Sequence, residues 1–185
     1  SEVSSMTRTR RLLVPVVALA SVLVAACTPP PSTTTPVASV DLDRYLGTWY
    51  ELASAKQFFS LGLVNTSATY TLRPDGLVGV FNRGNYLFDG GLVSEISGLA
   101  RPLDSSGARL DVAFFGATPS EDGPGNYWIV DLDPDYQWAS VSDPTGSYFL
   151  LSRTKTMDPE LKAEILARAA ARGVNTAAVT DTQQF

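Results

Sequence analysis

Asp43-Arg44-Tyr45-Leu46-Gly47-Thr48-Trp49-Tyr50-Glu51-Leu52-Ala53 is the stretch whose reading decides the fold. A short turn-forming lead ends at Gly47. The residues after it alternate and are rich in aromatic side chains, the signature of a β-strand. A glycine before an aromatic strand occurs in many β proteins, so this stretch gains its meaning from two segments far downstream. These are Asp131-Leu132-Asp133-Pro134-Asp135-Tyr136 and Leu151-Ser152-Arg153-Thr154, with several strand-like runs between.

Outward from Ala53 the pattern repeats. Short alternating segments are separated by turn signals about every ten residues, the spacing of a sandwich or an up-and-down barrel. Strands are expected over 47–54, 65–72, 77–83, 91–101, 108–115, 126–132, 137–142 and 147–153. The second and third are joined by the tight turn Arg73-Pro74-Asp75-Gly76, and the seventh and eighth connect as closely, as antiparallel neighbours permit. No ten-residue helical pattern interrupts them, which argues against a parallel α/β sheet. One helix follows. Asp158 suits its N-cap, Pro159 its first position and Glu160 the positive end of its dipole. Leu161, Ile165 and Ala169, flanked by Leu166 and Ala170, make one apolar stripe, and Gly173 ends it. That stripe is expected to pack on the outside of the sheet, with a short ninth strand from 174–184 beside the first.

Composition narrows the chemistry. The chain of 185 residues is long enough for one domain with a real core. Its formal charge is −5. Taking away 1–26 removes Glu2, Arg8, Arg10 and Arg11, a net +2, and leaves −7. That argues against nucleic acid, which needs a basic face. The absence of histidine removes Ser-His catalysis, histidine haem ligation and the usual zinc sites together. The single cysteine, Cys27, leaves the folded domain with neither disulfide nor thiol nucleophile. No metal and no cofactor are expected.

The first 26 residues read as an export signal: the basic run Thr7-Arg8-Thr9-Arg10-Arg11, then an apolar run to Ala26 too short for a comfortable permanent span. Val24-Ala25-Ala26-Cys27 looks like a bacterial lipobox, small residues at the cut and then the acylated cysteine. The alternative is a plain secretory signal with an incidental cysteine. Residues 28–38, rich in Pro and Thr, read as an extended tether with nothing to bury. The expected organisation is signal peptide 1–26, lipidated Cys27 and tether 27–40, and one β domain 41–185.

In an up-and-down meander the start of the first strand, the turn after the sixth and the finish of the eighth lie at one pole. Trp49, Asp131–Tyr136 and Arg153 therefore meet there. These three segments in this order resemble the lipocalin family, and within it the bacterial lipocalin and apolipoprotein D branch; the resemblance covers roughly 41–184. It implies an all-β, eight-stranded antiparallel barrel with one outer C-terminal helix and a ninth strand. It also implies that Gly47, Trp49, Asp133, Tyr136 and Arg153 are structural, with the arginine laid across the indole at the barrel floor. The family's second motif is usually Thr-Asp-Tyr, and here Leu132 stands where the threonine would be.

The lining follows from period two. With Arg153 at the floor, Leu151 and Phe149 share its face. Trp49, Glu51 and Ala53 share one on the first strand. The apolar sets are Ala68, Tyr70 and Leu72; Leu110, Val112 and Phe114; Val78, Val80 and Asn82; and Ala139 with Val141. The sixth strand offers Tyr127, Ile129 and Asp131, although Trp128, Val130 and Leu132 are equally apolar. The candidate ligand wall is thus Ala68, Tyr70, Val80, Asn82, Val112, Phe114, Tyr127, Ile129, Val141, Phe149 and Leu151. Small residues mixed with aromatics leave some room, and the resemblance implies an open chamber; the alternative is a solid core. By resemblance the cargo is a fatty acid or lysophospholipid, carried by a membrane-anchored monomer or homodimer. Asn82 and Tyr127 are expected to meet its head group at the mouth, aided by Lys56 and Arg83. The loop 117–125 is a candidate lid. Two other readings stay open: a lipid-modifying enzyme using Asp131, Glu51 or Tyr127, and a filled structural barrel. Pairing of Glu51 with Arg153 or Arg101 would favour structure over chemistry.

Overall fold

The computed structural model describes residues 34–55 and 60–185, so the expectations for Cys27 and Lys56 lie outside the described residues. Eight strands run in sequence: β1 (Gly47–Ala55), β2 (Leu63–Leu72), β3 (Val78–Tyr86), β4 (Val93–Pro102), β5 (Arg109–Phe114), β6 (Tyr127–Leu132), β7 (Trp138–Ser142) and β8 (Tyr148–Ser152). Each pairs antiparallel with its chain neighbour, and β1 closes the ring against both β8 and β2. The inner face holds one apolar cluster. A second lies outside, where helix α2 (Pro159–Ala171) packs Ile165 and Ala169 onto Leu52, Trp138, Tyr148 and Leu150. Asp158 caps that helix through the backbone N–H groups of Glu160 and Leu161, and Ala170, at the stripe's edge, is exposed.

The lead into β1 is more than a turn. It is a one-turn helix, α1 (Leu42–Tyr45), capped by Asp41. Leu42, Tyr45 and Leu46 have helical spacing, and all three join the inner cluster.

Period two fails at three bulges. The register shifts between Glu51 and Ala53 on β1, between Val64 and Ser67 on β2, and between Ile129 and Asp131 on β6. Each extra residue rotates the rest of its strand by one face. Ala53 therefore faces α2 rather than the interior, and Ser54 takes its place opposite Phe149. Asp131 likewise turns outward, where Arg168 Nε bonds it at 2.9 Å, and Leu132 joins the inner cluster instead.

The seam between β1 and β2 is made of three pieces. The two strands pair directly only over Gly47–Tyr50. Toward the other end they part, and β9 (Val179–Asp181) with the residues after it fills the gap. Ala53–Ala55 pair with β9, Asn65 N–H donates to Gln183 O at 2.8 Å, and Gln184 Nε2 donates to both Glu51 O and Thr66 O at 2.8 Å.

The end of the expected tether is not free. Thr34 is buried, its hydroxyl donating to Arg172 O at 2.9 Å; Val37 N–H donates to Ile129 O, and Val37 packs on the inner cluster. A Pro/Thr-rich segment has backbone donors to offer a sheet, and composition alone does not register them.

Candidate functional site

The pole at which β1 begins is a floor. Trp49 is fully buried, and the Arg153 guanidinium lies 3.7 Å from its ring centroid. Four backbone carbonyls hold that guanidinium. Its Nη1 donates to Thr48 O (3.0 Å), Nη2 to Arg44 O (2.8 Å) and Tyr45 O (3.3 Å), and Nε to Tyr136 O (3.3 Å). The indole N–H donates to Tyr45 O at 2.8 Å. Gly47 makes this possible. Its φ is +92°, and a Cβ there would stand 3.4 Å from Arg153 Nη1. Arg44 repeats the motif one layer out, 4.1 Å over the Tyr136 ring, while Asp41 N–H donates to the Tyr136 hydroxyl at 2.8 Å. Asp133 shapes the turn by accepting from the N–H groups of Asp135 and Gln137. The geometry expected for Trp49 and Arg153 is therefore present, with α1 as a component that was not foreseen.

Ten of the candidate wall residues lie together in the inner cluster: Ala68, Tyr70, Val80, Val112, Phe114, Tyr127, Ile129, Val141, Phe149 and Leu151. Asn82 faces the same way one pleat on from Val80, opposite Ala68, and its Oδ1 is buried without a hydrogen-bond partner. Tyr127 sits deeper than expected. It is level with Leu110, and its hydroxyl bonds those of Tyr45 (2.8 Å) and Tyr70 (2.9 Å). Burial pushes Tyr70 up to about 12 and raises Tyr45 and Tyr127 well above the ordinary phenol value. All three are neutral donors at physiological pH. Three hydroxyl protons serve two mutual bonds, which leaves one O–H to offer.

Below this phenol shelf the interior is nearly full. The space between Leu42, Leu46, Tyr70, Val78, Leu110 and Tyr127 amounts to about 10 Å³ and has an apolar lining. That is room for about one water molecule. The open chamber that the resemblance implies is absent at this end, because α1 supplies Leu42, Tyr45 and Leu46 as a plug.

A family model described as a lipocalin-like domain matches residues 40–184. The chain belongs to the lipocalin family. It is 39% identical over 178 residues to the outer membrane lipoprotein Blc of Escherichia coli K12, covering 93% of this chain and 97% of the relative. Temperature-induced lipocalin-1 of Arabidopsis thaliana is 36% identical over 154 residues, covering 80% and 81%. Among solved structures, the cockroach allergen Per a 4 superposes with a TM-score of 0.61 at 20% identity, covering 82% of this chain and 92% of that one. That last likeness speaks for the fold alone.

Several expectations about this lipocalin's mouth change. Loop 117–125 does not lie over the opening. Ser120 N–H donates to Asp111 Oδ2 at 2.8 Å, Glu121 pairs with Arg101 at 3.4 Å, and Asn126 exchanges two hydrogen bonds with the Val112 backbone. The loop is strapped to the outer face of β5. Arg83 pairs with Glu95 across β3 and β4 on the exposed face, not at the mouth. Glu51 is buried and meets neither expected arginine in the bonds seen: its Oε1 accepts from Ser54 Oγ (2.7 Å) and Thr182 Oγ1 (2.5 Å). Such hydroxyl clamps hold a carboxylate in place. Among the described residues no cluster of acidic side chains is placed to hold a metal, and no helix is long and apolar enough to cross a membrane.

Proposed function

We propose that the protein is a lipid-anchored lipocalin of the bacterial envelope, tied to its membrane by acylated Cys27, that carries one fatty acid or lysophospholipid in the barrel. The observation that carries this reading is the inner wall: strands all round the ring contribute to one apolar surface, sealed at the floor by Trp49 and Arg153. Relatives named as outer membrane lipoproteins support the anchor. Burial drives uptake. Each methylene taken from water contributes about 0.8 kcal/mol, so a long acyl chain offers on the order of 10 kcal/mol before ordering costs. The chain enters from the mouth and stops above Tyr45, Tyr70 and Tyr127. The wall above parts to make room, since drug-sized pockets are roughly 300–1,000 Å³ and the floor half holds about 10 Å³. Asn82 Oδ1 and the spare phenol proton are the polar groups a head group would meet.

That small volume favours a second reading, a filled structural barrel that works through its outer face. Delipidated protein titrated with a fluorescent fatty acid separates the two. Saturable binding, displaced by unlabelled palmitate, is the expected result; a linear, non-saturating signal would leave only the structural barrel.

A further inference from the structure

The barrel wall has one seam that is barely stitched. Past Tyr50 the strands β1 and β2 separate, and a segment from beyond α2, the tail, enters between them. The tail belongs to β1. Ala53–Ala55 pair with β9, Thr182 N–H donates to Leu52 O at 3.0 Å, and Thr182 Oγ1 donates to Glu51. Lys162 of α2 holds Asp181 from outside at 2.7 Å. Toward β2 the tail has no ladder. Among the described residues a single main-chain hydrogen bond crosses there, from Asn65 N–H to Gln183 O. The other two depend on side chains: Gln184 Nε2 donates to Thr66 O, and Phe185 N–H to Asn65 Oδ1.

Strand β2 is committed to its other neighbour. Eight of its positions pair with β3, out to Leu63 opposite Tyr86, so the two move as one hairpin. The bulge between Val64 and Ser67 bends β2 away from β1, and Asn65 within it takes φ +52°, which asparagine tolerates better than most residues. The β5–β6 ladder is also short, yet its gap is laced. Ile129 N–H donates to Ala108 O, Asn126 N–H to Leu110 O, and the Asn126 amide exchanges two bonds with Val112.

Two buried polar atoms flank the slit between β2 and the tail without a hydrogen-bond partner, Thr66 Oγ1 and Gln184 Oε1. The Gln184 Nε2 is committed to two carbonyls, so its amide cannot turn over to pair the oxygen. Closing the slit leaves both atoms unsatisfied, and opening it hydrates them. From Thr180 to Gln184 the tail carries polar side chains throughout, so none of them holds it to β2 by apolar contact. Segments held by few buried contacts open first. Behind the slit β3 presents Gly84, which puts no side chain in the way, and Asn82 stands one pleat further along the inner wall.

We infer that cargo enters and leaves by the parting of β2 from the tail: the β2–β3 hairpin swings outward while β1 and the tail stay in place, and the slit so opened runs out into the mouth. This rests on the proposed carriage of a lipid and says where the wall parts. The test follows fluorescently labelled palmitate by stopped flow on the whole delipidated protein. Gln184→Ala removes the bond to Thr66 O. Asn65→Gly removes the side-chain bonds to Asp89 and Phe185 at a φ that glycine adopts freely. Entry and exit both need the open slit, and the loaded barrel closes as the empty one does. Each variant should therefore raise association and dissociation rates together, on the order of fivefold for one lost hydrogen bond, with affinity unchanged. Ile165→Val, in the outer cluster, is the control; it should lower the melting temperature and leave both rates alone. Rates unmoved in the two slit variants, or raised as much in the control, would overturn the inference. So would faster dissociation alone, which would make the tail a mere contact for bound cargo. Without cargo, the Asn65 amide should exchange faster than those of the Gly47–Tyr50 ladder, and faster still in Gln184→Ala; equal protection at both sites would also overturn it. Absence of saturable binding at equilibrium would remove the cargo and this route with it, whereas saturable binding with unmoved rates removes the route alone.

Discussion

At the scale of single residues, Trp49 and Arg153 act as one unit. The indole supplies the buried area; the guanidinium supplies charge over the ring and four donors to carbonyls from three segments of chain. Trp49→Ala should cost about 3–5 kcal/mol, of which the cation–π contact is about 1–2. For a chain of this size each kcal/mol shifts melting by roughly 2–4 °C, so thermal denaturation reads it directly. A variant melting within about 2 °C of the parent would show that the indole does not hold the floor. The phenol shelf makes a second prediction at this scale. Tyr45, Tyr70 and Tyr127 have folded pKa values raised above their unfolded value, Tyr70 to about 12. Their contribution is complete below the unfolded value near 10 and is lost as pH climbs toward 12. Alkaline titration should therefore show unfolding by circular dichroism in step with tyrosinate absorbance above pH 10. Tyr70→Phe should move that transition upward; a tyrosinate signal that grows while the fold stays intact would contradict the shelf's burial.

At the scale of elements, the seam between β1 and β2 is where the barrel is least self-sufficient. Its mouth half depends on β9 and on Gln184, whose amide bridges Glu51 O and Thr66 O. Gln184→Ala removes both donors and should cost about 1–3 kcal/mol. Hydrogen exchange should locate the loss, with faster exchange around Ser54 and unchanged protection at Tyr50, which pairs with Ser67 directly. Equal acceleration at both would mean that the tail is no separate piece of wall. The strands themselves were legible in the amino-acid order, because half-buried strands alternate and turns need Gly, Pro and Asp. What was not legible were the bulges. One extra residue leaves composition unchanged yet turned Ala53 and Asp131 outward and brought Ser54 and Leu132 in. The one-turn helix α1 was missed because four residues give too few periods to stand out. Asp41 ahead of apolar residues spaced three and four apart was the available signal. The lid expectation failed for another reason: loop 117–125 folds back on the two strands just before it, where Asp111 and Arg101 on the outer wall supply its partners.

At the scale of the whole molecule, a carrier whose floor half is already filled must gain stability when its upper half is occupied. Cargo at a hundred times its dissociation constant should add about 2.7 kcal/mol, a rise in melting temperature of roughly 5–10 °C. Palmitate added to delipidated protein, followed by calorimetry, checks this, and an unmoved transition at saturating concentration would count against carriage. The buried tyrosine trio has one more effect on such a titration. Fixed at a set depth by Tyr127 and by the two hydroxyls it joins, it would act, on the proposed carrier reading, as a ruler for cargo length. Affinity should climb by a constant factor with each carbon until the methyl tip touches the rings, and lengthening the tail beyond that point should bring no further gain.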